Sequence, residues 1–418
     1  MNNDDAHFKE VPATVRVPGS KSLTQRALVA AALAQNNSFI SNALIAQDTL
    51  YLIEGLRALG AQVVSAEGVF FISGTAGKII NSGKELFLGN NGTALRFLTA
   101  LVCLGKGKYT LTGEKRLCER PVGALVEALQ NMGADISSRN NCPPVEINAN
   151  GLTGGKITLR DIESSQYVSA LLLCAPYVPK GMDLILQGGV VSTPYIDLTI
   201  AVMNDFGAKI TQTGKYEYHV AAGKIYQGRK YSVEGDASSA SYFFLAAALL
   251  KKTVRVTGIN RQSKQGDIRL LTVLEELGCK VRSGENWVEV SGNNLAEGDF
   301  TFDLNDMPDM VLTLAVLAAF REGRTFINNV AHLRIKESNR LAALVAELNR
   351  TGIEAQEMPQ GLVIQGGKMR PAKVETYNDH RMAMSFAIAG LVVRGIEISD
   401  KKCVDKSFPQ FWEELKKV

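Results

Sequence analysis

The sequence predicts an α/β protein built from six copies of a unit of about 70 residues. The first supporting observation is a glycine that follows an amphipathic helical pattern, precedes a β-like segment and recurs every 71 to 74 residues. These glycines are Gly60, Gly133, Gly207, Gly278 and Gly352. Glycine is the usual residue just after a helix C-terminus, where φ is positive. Five amphipathic helices are therefore predicted to end at these positions.

The second observation is a set of six strongly apolar helical patterns that begin 70 to 73 residues apart. Each begins at Ser, Thr or Asp, whose side chains cap free backbone N–H groups. Each is apolar on nearly all sides, which predicts complete burial. One unit then contains a buried helix, an amphipathic helix and several strands. The apolar patterns start near Ser22, Thr93, Ser165, Ser238, Asp309 and Asp379.

Length and composition narrow the class of protein. A chain of 418 residues exceeds one ordinary core, so two domains of about 200 residues are expected. The net charge of +4, without basic runs interleaved with aromatic residues, argues against nucleic-acid binding. The apolar runs are too short to cross a bilayer, and the polar, acidic residues 1–8 do not resemble a signal peptide.

Cysteine and histidine usage predicts a cytoplasmic protein without a metal centre. The six cysteines show no CxxC pairing, which indicates free thiols in a reducing compartment. The four histidines are scattered, and their spacing does not suggest zinc ligands.

Polar residues are concentrated where the buried helices begin. If these N-termini converge on one cleft, their partial positive charges and the nearby cations form a site for anions. The acids expected there are Asp236, Asp309 and Glu337, and seven cations against three carboxylates suggest substrates with several negative charges. The cations are Lys21, Arg26, Arg120, Lys336, Arg340, Arg381 and Lys406.

Each motif also has an ordinary structural explanation. Lys21 is also explained as a surface lysine, the glycines around Asn90 as a tight turn, and Asp309 as an acid at a helix N-terminus. Lys336 and Arg340 are predicted to stack at i,i+4 on one amphipathic helix, which is also typical of a solvated face. Several other residues have hydroxyl or amide groups that could serve either as helix caps or as ligand contacts. They are Ser164, Ser165, Gln166, Ser192 and Tyr195.

Taken together, these motifs resemble the 5-enolpyruvylshikimate-3-phosphate (EPSP) synthase family of enolpyruvyl transferases. The resemblance runs from residue 18 to 409 and rests on PGSKSLTQRAL, LFLGNNGTALR, ERPVGALVEAL, SSQYVSALL, STPYIDLT, VEGDASSASYF, RIKESNRL, YNDHRMAM and KSFP. It implies an inside-out α/β barrel of two globular domains, each with three βαβαββ-like repeats. Residues 1–20 and 235–418 would form one domain, residues 21–234 the other, with the active-site cleft between them.

The resemblance also implies an activity. A monomeric enzyme without a cofactor would transfer the enolpyruvyl group of phosphoenolpyruvate to the 5-hydroxyl of shikimate 3-phosphate, as a 3-phosphoshikimate 1-carboxyvinyltransferase. Addition would be followed by elimination of phosphate, in the route to chorismate and the aromatic amino acids. Glyphosate, which competes with phosphoenolpyruvate in this family, should inhibit because Gly92 is retained.

Residue roles follow from the same resemblance. Asp309 would act as the base near the 5-hydroxyl and Glu337 as the acid at C3 of phosphoenolpyruvate, and Lys21 would share the proton transfer. Shikimate 3-phosphate would be bound by Lys21, Ser22, Arg26, Ser164, Ser165, Gln166, Ser192, Tyr195, Asp309, His332 and Lys336. Phosphoenolpyruvate would be bound by Lys21, Asn90, Gly92, Arg120, Gln166, Arg340, Arg381 and Lys406.

The chain departs from the family pattern in four respects. Asn91 and Phe97 change the usual GNAGTAMRP segment, with Phe97 in the place of a proline. His332 stands where an asparagine is expected, and its imidazole predicts pH-sensitive binding. "LTQR" replaces the usual small polar residues between Ser22 and Arg26.

Two other functions remain open on the sequence alone. One is enolpyruvyl transfer to UDP-N-acetylglucosamine, although the loop cysteine typical of that enzyme is replaced by Lys115. The other is a non-catalytic repeat protein that binds anions.

Overall fold

A computed structural model describes residues 12–66 and 68–418. The helices are α1 (Lys21–Leu33), α2 (Gln47–Ala58), α3 (Gly92–Val102), α4 (Gly123–Asn131), α5 (Ser165–Cys174), α6 (Pro194–Asp205), α7 (Ala237–Leu250), α8 (Leu270–Glu276), α9 (Val311–Ala319), α10 (Arg340–Arg350), α11 (His380–Val392) and α12 (Phe411–Leu415). Short 3₁₀ turns lie at Leu117–Glu119, Ala175–Tyr177, Gly266–Arg269, Pro308–Met310, Ala331–Ile335 and Lys402–Lys406.

The strands are short and follow the helices in a regular order. They are β1 (Ala13–Arg16), β2 (Asn37–Ser41), β3 (Gln62–Ala66), β4 (Val69–Ser73), β5 (Leu86–Phe87), β6 (Lys106–Thr112), β7 (Asp135–Arg139), β8 (Cys142–Asn150), β9 (Gly155–Ile162), β10 (Met182–Val190), β11 (Ile210–Gly214), β12 (Glu217–Val220), β13 (Lys230–Ser232), β14 (Thr253–Thr257), β15 (Lys280–Gly284), β16 (Trp287–Ser291), β17 (Phe300–Asp303), β18 (Arg324–Asn328), β19 (Ala355–Met358), β20 (Gly361–Gln365), β21 (Lys373–Val374) and β22 (Glu397–Ile398).

The predicted repeat is present as a βαβαββ unit. In one unit β5, α3, β6, α4, β7 and β8 follow one another, with β5 parallel to β6 and the other pairs antiparallel. Within the described residues, five sheets share this four-stranded topology. The sixth unit comprises only β21, α11, β22 and α12, because the described chain after β22 forms a 3₁₀ turn and a helix. The last of the three repeats in the second half therefore keeps the βαβ start of the unit and, in the part of the chain described, lacks its final pair of strands.

Two units take their first strand from a distant part of the chain. Strand β1 runs parallel to β14, and β13 runs parallel to β2. The two connecting segments lie side by side, because Gly19 bridges Gly235 and the Ser20 N–H donates to the Glu234 carbonyl at 2.8 Å. The N-terminal strand thus joins a sheet of the C-terminal half.

Helices occupy the interior and sheets surround them. One cluster of buried apolar side chains spans residues 23–233, and a second combines Val15 and Val17 with residues 237–411. Helix α3 packs on α5 and α1 on α6 in the first cluster, while α7, α9 and α11 pack together in the second. All nine residues of α9 are buried, which confirms the prediction from its uniformly apolar sequence. The mixed, inside-out α/β class is confirmed.

The predicted helix ends are also confirmed. The five regularly spaced glycines follow α2, α4, α6, α8 and α10, with φ between 82° and 106°. The six cysteines, all in the described ranges, are free. Among the described helices, none combines the length and apolar character needed to cross a bilayer. The prediction about a signal peptide concerns residues 1–8, which lie outside the described residues.

Candidate active site

The starts of α1, α3 and α5 and the 3₁₀ turn before α9 line one cavity between the two cores. It is lined by Lys21, Ser22, Arg26, Asp48, Asn91, Gly92, Thr93, Arg120, Ser165, Gln166, Ser192, Tyr195, Pro308, Asp309, Lys336, Glu337 and Arg340. The caps of α7 and α11, Asp236 and Asp379, bond to lining residues. The other predicted site residues each bond to a lining residue, and they are Asn90, Ser164, His332, Arg381 and Lys406. The structure therefore brings all the predicted site residues together.

The helix N-termini at this cavity are largely capped by the protein itself. Five of the six buried helices have a side-chain cap, and the caps are Ser20, Asn91, Ser164, Asp236 and Asp379. Of the predicted caps only Asp379 is confirmed, because a 3₁₀ turn containing Asp309 precedes α9 and the other four caps lie one or two residues before the predicted ones. The predicted caps that are wrong are Ser22, Thr93, Ser165, Ser238 and Asp309. Because capping uses part of the free N–H groups, anion binding depends mainly on the cationic side chains.

One group of cations is neutralised by carboxylates. Arg340 lies 2.8 Å from Asp309, 3.0 Å from Glu337 and 2.8 Å from Asp379. Arg381 pairs with the second oxygen of Asp309 at 2.7 Å. Such buried pairs need close geometry to offset the cost of desolvation, and these distances provide it.

Two lysines share a further buried carboxylate. Asp48 at the start of α2 accepts from Lys21 Nζ at 3.1 Å and from Lys406 Nζ at 2.7 Å. Lys406 also donates to the Asn90 carbonyl at 2.9 Å. These contacts tie the C-terminal segment to α1 and α2 across the cavity.

A second group of cations has no carboxylate partner among the described residues. The guanidinium of Arg26 donates to Thr199 Oγ1 at 2.7 Å, to Ser169 Oγ at 3.1 Å, and to the carbonyls of Ser22 and Tyr195 at 3.0 and 3.1 Å. Its partners are therefore neutral, and burial lowers the pKa of Arg26 to about 10.

Arg120 and Lys336 belong to the same group. Among the described residues, the guanidinium of Arg120 donates only to the backbone and side-chain oxygens of Asn90, both at 3.4 Å, and burial lowers its pKa to about 10. Lys336 forms no ion pair in the described ranges, and burial, followed in size by the opposing effect of Asp309, leaves its pKa at about 8. Buried charges of this kind are costly unless an anion joins them.

The two carboxylates with predicted catalytic roles are held in the ionised form. Burial by itself would raise the pKa of Asp309, but Arg381 and Arg340 hold it well below its usual range. Burial would likewise raise the pKa of Glu337, but the charges of Arg340 and Arg120 hold this pKa well below its usual range. Tyr195 also donates its hydroxyl hydrogen to Asp309 at 3.1 Å. Two ionised carboxylates and three unneutralised cations thus line one cavity.

Comparisons with known proteins agree with this geometry. A family model described as EPSP synthase (3-phosphoshikimate 1-carboxyvinyltransferase) matches residues 6–415. The chain belongs to the EPSP synthase family. The 3-phosphoshikimate 1-carboxyvinyltransferase of Trichormus variabilis is 43% identical over 98% of this chain and 97% of its own length. That of Escherichia coli strain SMS-3-5 is 41% identical over 98% of this chain and 96% of its own. A solved EPSP synthase from Acinetobacter baumannii superposes with a TM-score of 0.79 at 26% identity, covering 96% of this chain and 94% of that one.

The pH sensitivity expected of His332, at a position where the EPSP synthase family usually has asparagine, is wrong. The imidazole is buried, and its Nε2 lies 3.5 Å from Ser192 Oγ. Burial, and secondly the charge of Lys336, lower the pKa of His332 to about 3. His332 therefore remains neutral at ordinary pH and serves as a polar, uncharged neighbour of Ser192.

The predicted helical stacking of Lys336 on Arg340 is also wrong. Helix α10 begins only at Arg340, with Asn339 as its cap, and Lys336 lies in the segment between the 3₁₀ turn and α10. Because the backbone is extended at Lys336, with ψ of −154°, its ammonium group leaves the helix surface and lines the cavity. Lys336 therefore faces the cavity rather than the exposed side of a helix, and burial together with the nearby charge of Arg340 still lowers its pKa.

The sequence missed two acids of the site. Asp48 and Asp379 neutralise cations that the prediction had left to the substrates. With Asp236, Asp309 and Glu337 they bring the carboxylates to five against seven cations, so the excess of positive charge is smaller than expected. Asp379 precedes an apolar helix and is detectable there, whereas Asp48 looks like any acid in the first turn of an amphipathic helix.

Arg116 forms a clasp between the two sides of the cavity that the sequence did not reveal. Its guanidinium donates to the carbonyl of Lys336 at 3.1 Å and to that of Arg334 at 3.0 Å. Glu119 pairs with the same guanidinium at 3.1 Å. The loop that carries Arg120 is therefore attached to the segment that carries Lys336.

Proposed function

We propose that the 3-phosphoshikimate 1-carboxyvinyltransferase reaction of this family takes place in the cavity described above. In this reaction the enolpyruvyl group of phosphoenolpyruvate is transferred to the 5-hydroxyl of shikimate 3-phosphate, and phosphate is released. The observation that carries the proposal is a set of three cations that have no carboxylate partner within residues 12–66 and 68–418: the buried Arg26 and Arg120 and the half-buried Lys336. Each substrate carries a phosphate and a carboxylate, the groups that such cations bind best.

Shikimate 3-phosphate is assigned to the side of the cavity formed by α1, α5 and α6. Arg26 and Lys336 supply the positive charge there, and hydroxyl groups from two helix starts supply neutral donors. The residues assigned to this substrate are Lys21, Ser22, Arg26, Ser164, Ser165, Gln166, Ser192, Tyr195, Asp309, His332 and Lys336.

Phosphoenolpyruvate is assigned to the side next to α3. Gly92 lets a ligand approach the backbone because no Cβ occupies the space beside Arg120. The residues assigned to this substrate are Lys21, Asn90, Gly92, Arg120, Gln166, Arg340, Arg381 and Lys406.

Proton transfer is assigned to the two ionised carboxylates, with Lys21 as a neighbour that shares it. Asp309 removes the proton of the 5-hydroxyl while the oxygen of that hydroxyl bonds to C2 of phosphoenolpyruvate. At the same time C3 of phosphoenolpyruvate gains a proton from Glu337. The resulting tetrahedral ketal then loses phosphate as its C2–O bond breaks, and C3 returns its proton to Glu337. The proton held by Asp309 leaves with the phosphate, which balances the reaction.

Glu337 must acquire a proton before it acts as an acid. In the structure Arg340 and Arg120 favour its ionised form. An anion bound to these arginines neutralises part of their charge, so the pKa of Glu337 rises. Substrate binding therefore activates the acid, and the coupling restricts proton transfer to the loaded cavity.

The division into domains is part of the proposal. Residues 21–234 are assigned to one domain and residues 12–20 with 235–418 to the other, and the separation of the two buried clusters supports this boundary. Residues 1–11 of the predicted range lie outside the described residues. Because a single chain supplies both sides of the cavity, we infer a monomer, which closes when shikimate 3-phosphate neutralises the facing cations. Because its cysteines are free thiols, we assign the enzyme to the reducing cytoplasm. All the catalytic steps assigned above are carried out by side chains, without a cofactor.

Release of inorganic phosphate tests the function. The purified protein is mixed with phosphoenolpyruvate and either shikimate 3-phosphate or UDP-N-acetylglucosamine. Phosphate release only with shikimate 3-phosphate is expected. Release only with the UDP-sugar would assign the chain to the sister reaction, and no release with either acceptor would indicate an anion-binding protein.

The proton-transfer assignment is tested with a matched pair of variants. Glu337→Gln keeps the shape of the side chain but cannot transfer a proton, so kcat should fall about 100-fold or more. Glu276→Gln, at an exposed position in α8, is the control and should retain full activity. Equal kcat values for the two variants would refute the role of Glu337.

Competition by glyphosate tests the phosphoenolpyruvate side. Gly92 keeps the space beside Arg120 open, so glyphosate is expected to compete with phosphoenolpyruvate at an inhibition constant below about 1 mM, a bound set by ordinary small-ligand affinity. A constant no lower than that would contradict the assigned pocket shape.

A further inference from the structure

Arg26 is held by aromatic rings as well as by hydrogen bonds. Its guanidinium carbon lies 5.4 Å from the centre of the Phe97 ring and 5.9 Å from that of Tyr195. Arg26 is 2% exposed and Phe97 is completely buried. Both distances are within the range of cation–π interactions.

The choice of an aromatic support has a consequence for substrate binding. Arg340 is held by three carboxylates, which cancel its charge. A ring face stabilises a cation through its quadrupole and leaves the full positive charge available. Arg26 is therefore fixed in place without a resident anion that would compete with a substrate anion.

We propose that Phe97 is a positioning residue that sets the affinity for the anionic acceptor through Arg26. Phe97 lies outside the cavity lining, so it acts on the substrate only through the guanidinium that its ring faces. The family's usual proline at this position has no π face, so the cation–π interaction with Arg26 is a feature of this chain. This inference rests on the proposed assignment of Arg26 to shikimate 3-phosphate.

The competing explanation is that Phe97 only fills space in the core. Graded fluorination separates the two, because fluorine withdraws electron density from the ring face while changing its shape little. Phenylalanine at position 97 is replaced by its 4-fluoro, 3,5-difluoro and 3,4,5-trifluoro analogues. Affinity for shikimate 3-phosphate is measured by calorimetry, which does not depend on turnover.

We expect the dissociation constant for shikimate 3-phosphate to rise with each added fluorine. Phe97→Leu, which removes the ring, should raise it about 3- to 30-fold, the range that corresponds to a cation–π interaction. The kcat and the KM for phosphoenolpyruvate should change less than about twofold, as expected for a residue that acts only on acceptor binding. A dissociation constant that does not respond to fluorination would overturn the proposal, even if Phe97→Leu fails to fold.

Two further variants identify what has failed if the result is negative. Phe70→Leu removes a buried ring from the same core on β4 and should leave acceptor affinity unchanged. Arg26→Lys should weaken acceptor binding; if it does not, the assignment of Arg26 is refuted and the role of Phe97 with it. A weakened Arg26→Lys variant together with a flat fluorination series would refute the role of Phe97 alone.

Discussion

Replacement of Gly92 by alanine should weaken the binding of phosphoenolpyruvate. The new Cβ would lie 2.3 Å from Arg96 Nη1 and 2.5 Å from Arg120 Nη2, whereas real Cβ contacts stay beyond 3.0 Å. Arg96 is fixed by the carbonyls of Gly92 and Pro121 at 3.0 and 2.6 Å. In the part of the chain that the structure describes, the guanidinium of Arg120 is held only by two 3.4 Å contacts to Asn90. Arg120 should therefore undergo the larger displacement, away from the position where it meets the substrate.

The size of the effect follows from the lost contact. A hydrogen bond to a charged group contributes about 1.5–3 kcal/mol, so the KM for phosphoenolpyruvate should rise about 10- to 100-fold. The fold should persist, since alanine is the better helix former by about 1 kcal/mol and Gly92, the first residue of α3, has no positive φ. We expect kcat to stay within about threefold, because the lost interaction acts equally in the ground and transition states.

The assay is the initial rate of phosphate release at saturating shikimate 3-phosphate with phosphoenolpyruvate varied. Gly367→Ala is the matched control, because its Cβ would meet only Ile353 Cδ1 at 3.9 Å. A folded Gly92→Ala protein with a KM for phosphoenolpyruvate within twofold of the wild type would refute the reasoning. So would a loss of affinity confined to shikimate 3-phosphate.

Three further changes test other parts of the site. With a pKa of about 8, Lys336 loses its charge as the pH rises through that value, so kcat/KM for shikimate 3-phosphate should fall above about pH 8, and Lys336→Arg should move the fall to higher pH in a pH–rate profile. Asp48→Asn leaves the buried Lys406 and the half-buried Lys21 without a counter-ion and should lower the free energy of unfolding by about 3–5 kcal/mol in a urea titration, compared with the surface change Asp205→Asn. Arg116→Met removes the clasp across the cavity and should raise the KM values of both substrates about fivefold, whereas unchanged values would show that closure does not need it.

The fold was predictable because each repeat is marked by sequence patterns that act locally, such as a glycine after a helix or an apolar helical segment. A glycine such as Gly133 ends its helix through backbone geometry alone, and the uniform apolarity of α9 already specifies burial. The exchange of β1 and β13 between sheets leaves no such local signal, since each strand reads the same whichever partner it joins. Only the resemblance to a family indicated that the N-terminal strand pairs with the C-terminal half.

Residues of the site could be predicted where a charged side chain occurs within an otherwise apolar helical sequence. Arg26 and Arg381 stand out in sequence because each lies in a helix that is otherwise buried. Asp48 does not stand out, because its partner Lys406 is distant in sequence and their pairing depends on the whole fold. The environment of His332 was mistaken for the same reason: its burial comes from segments that its own sequence neighbours do not reveal.

The division of the cations into two groups explains how one cavity holds two anions and still controls its acid. If every arginine were unpaired, mutual repulsion would destabilise the closed arrangement, and if every arginine were neutralised, no charge would remain for the substrates. Arg340 and Arg381 take the carboxylates, and in doing so they keep Asp309 and Glu337 ionised. Glu337 then lacks the proton that C3 requires until a bound anion weakens the effect of the arginines. We therefore expect the protein to take up a proton when phosphoenolpyruvate binds to Arg120 and Arg340. Binding without proton uptake, measured by calorimetry in buffers of different ionisation enthalpy, would contradict this account of Glu337.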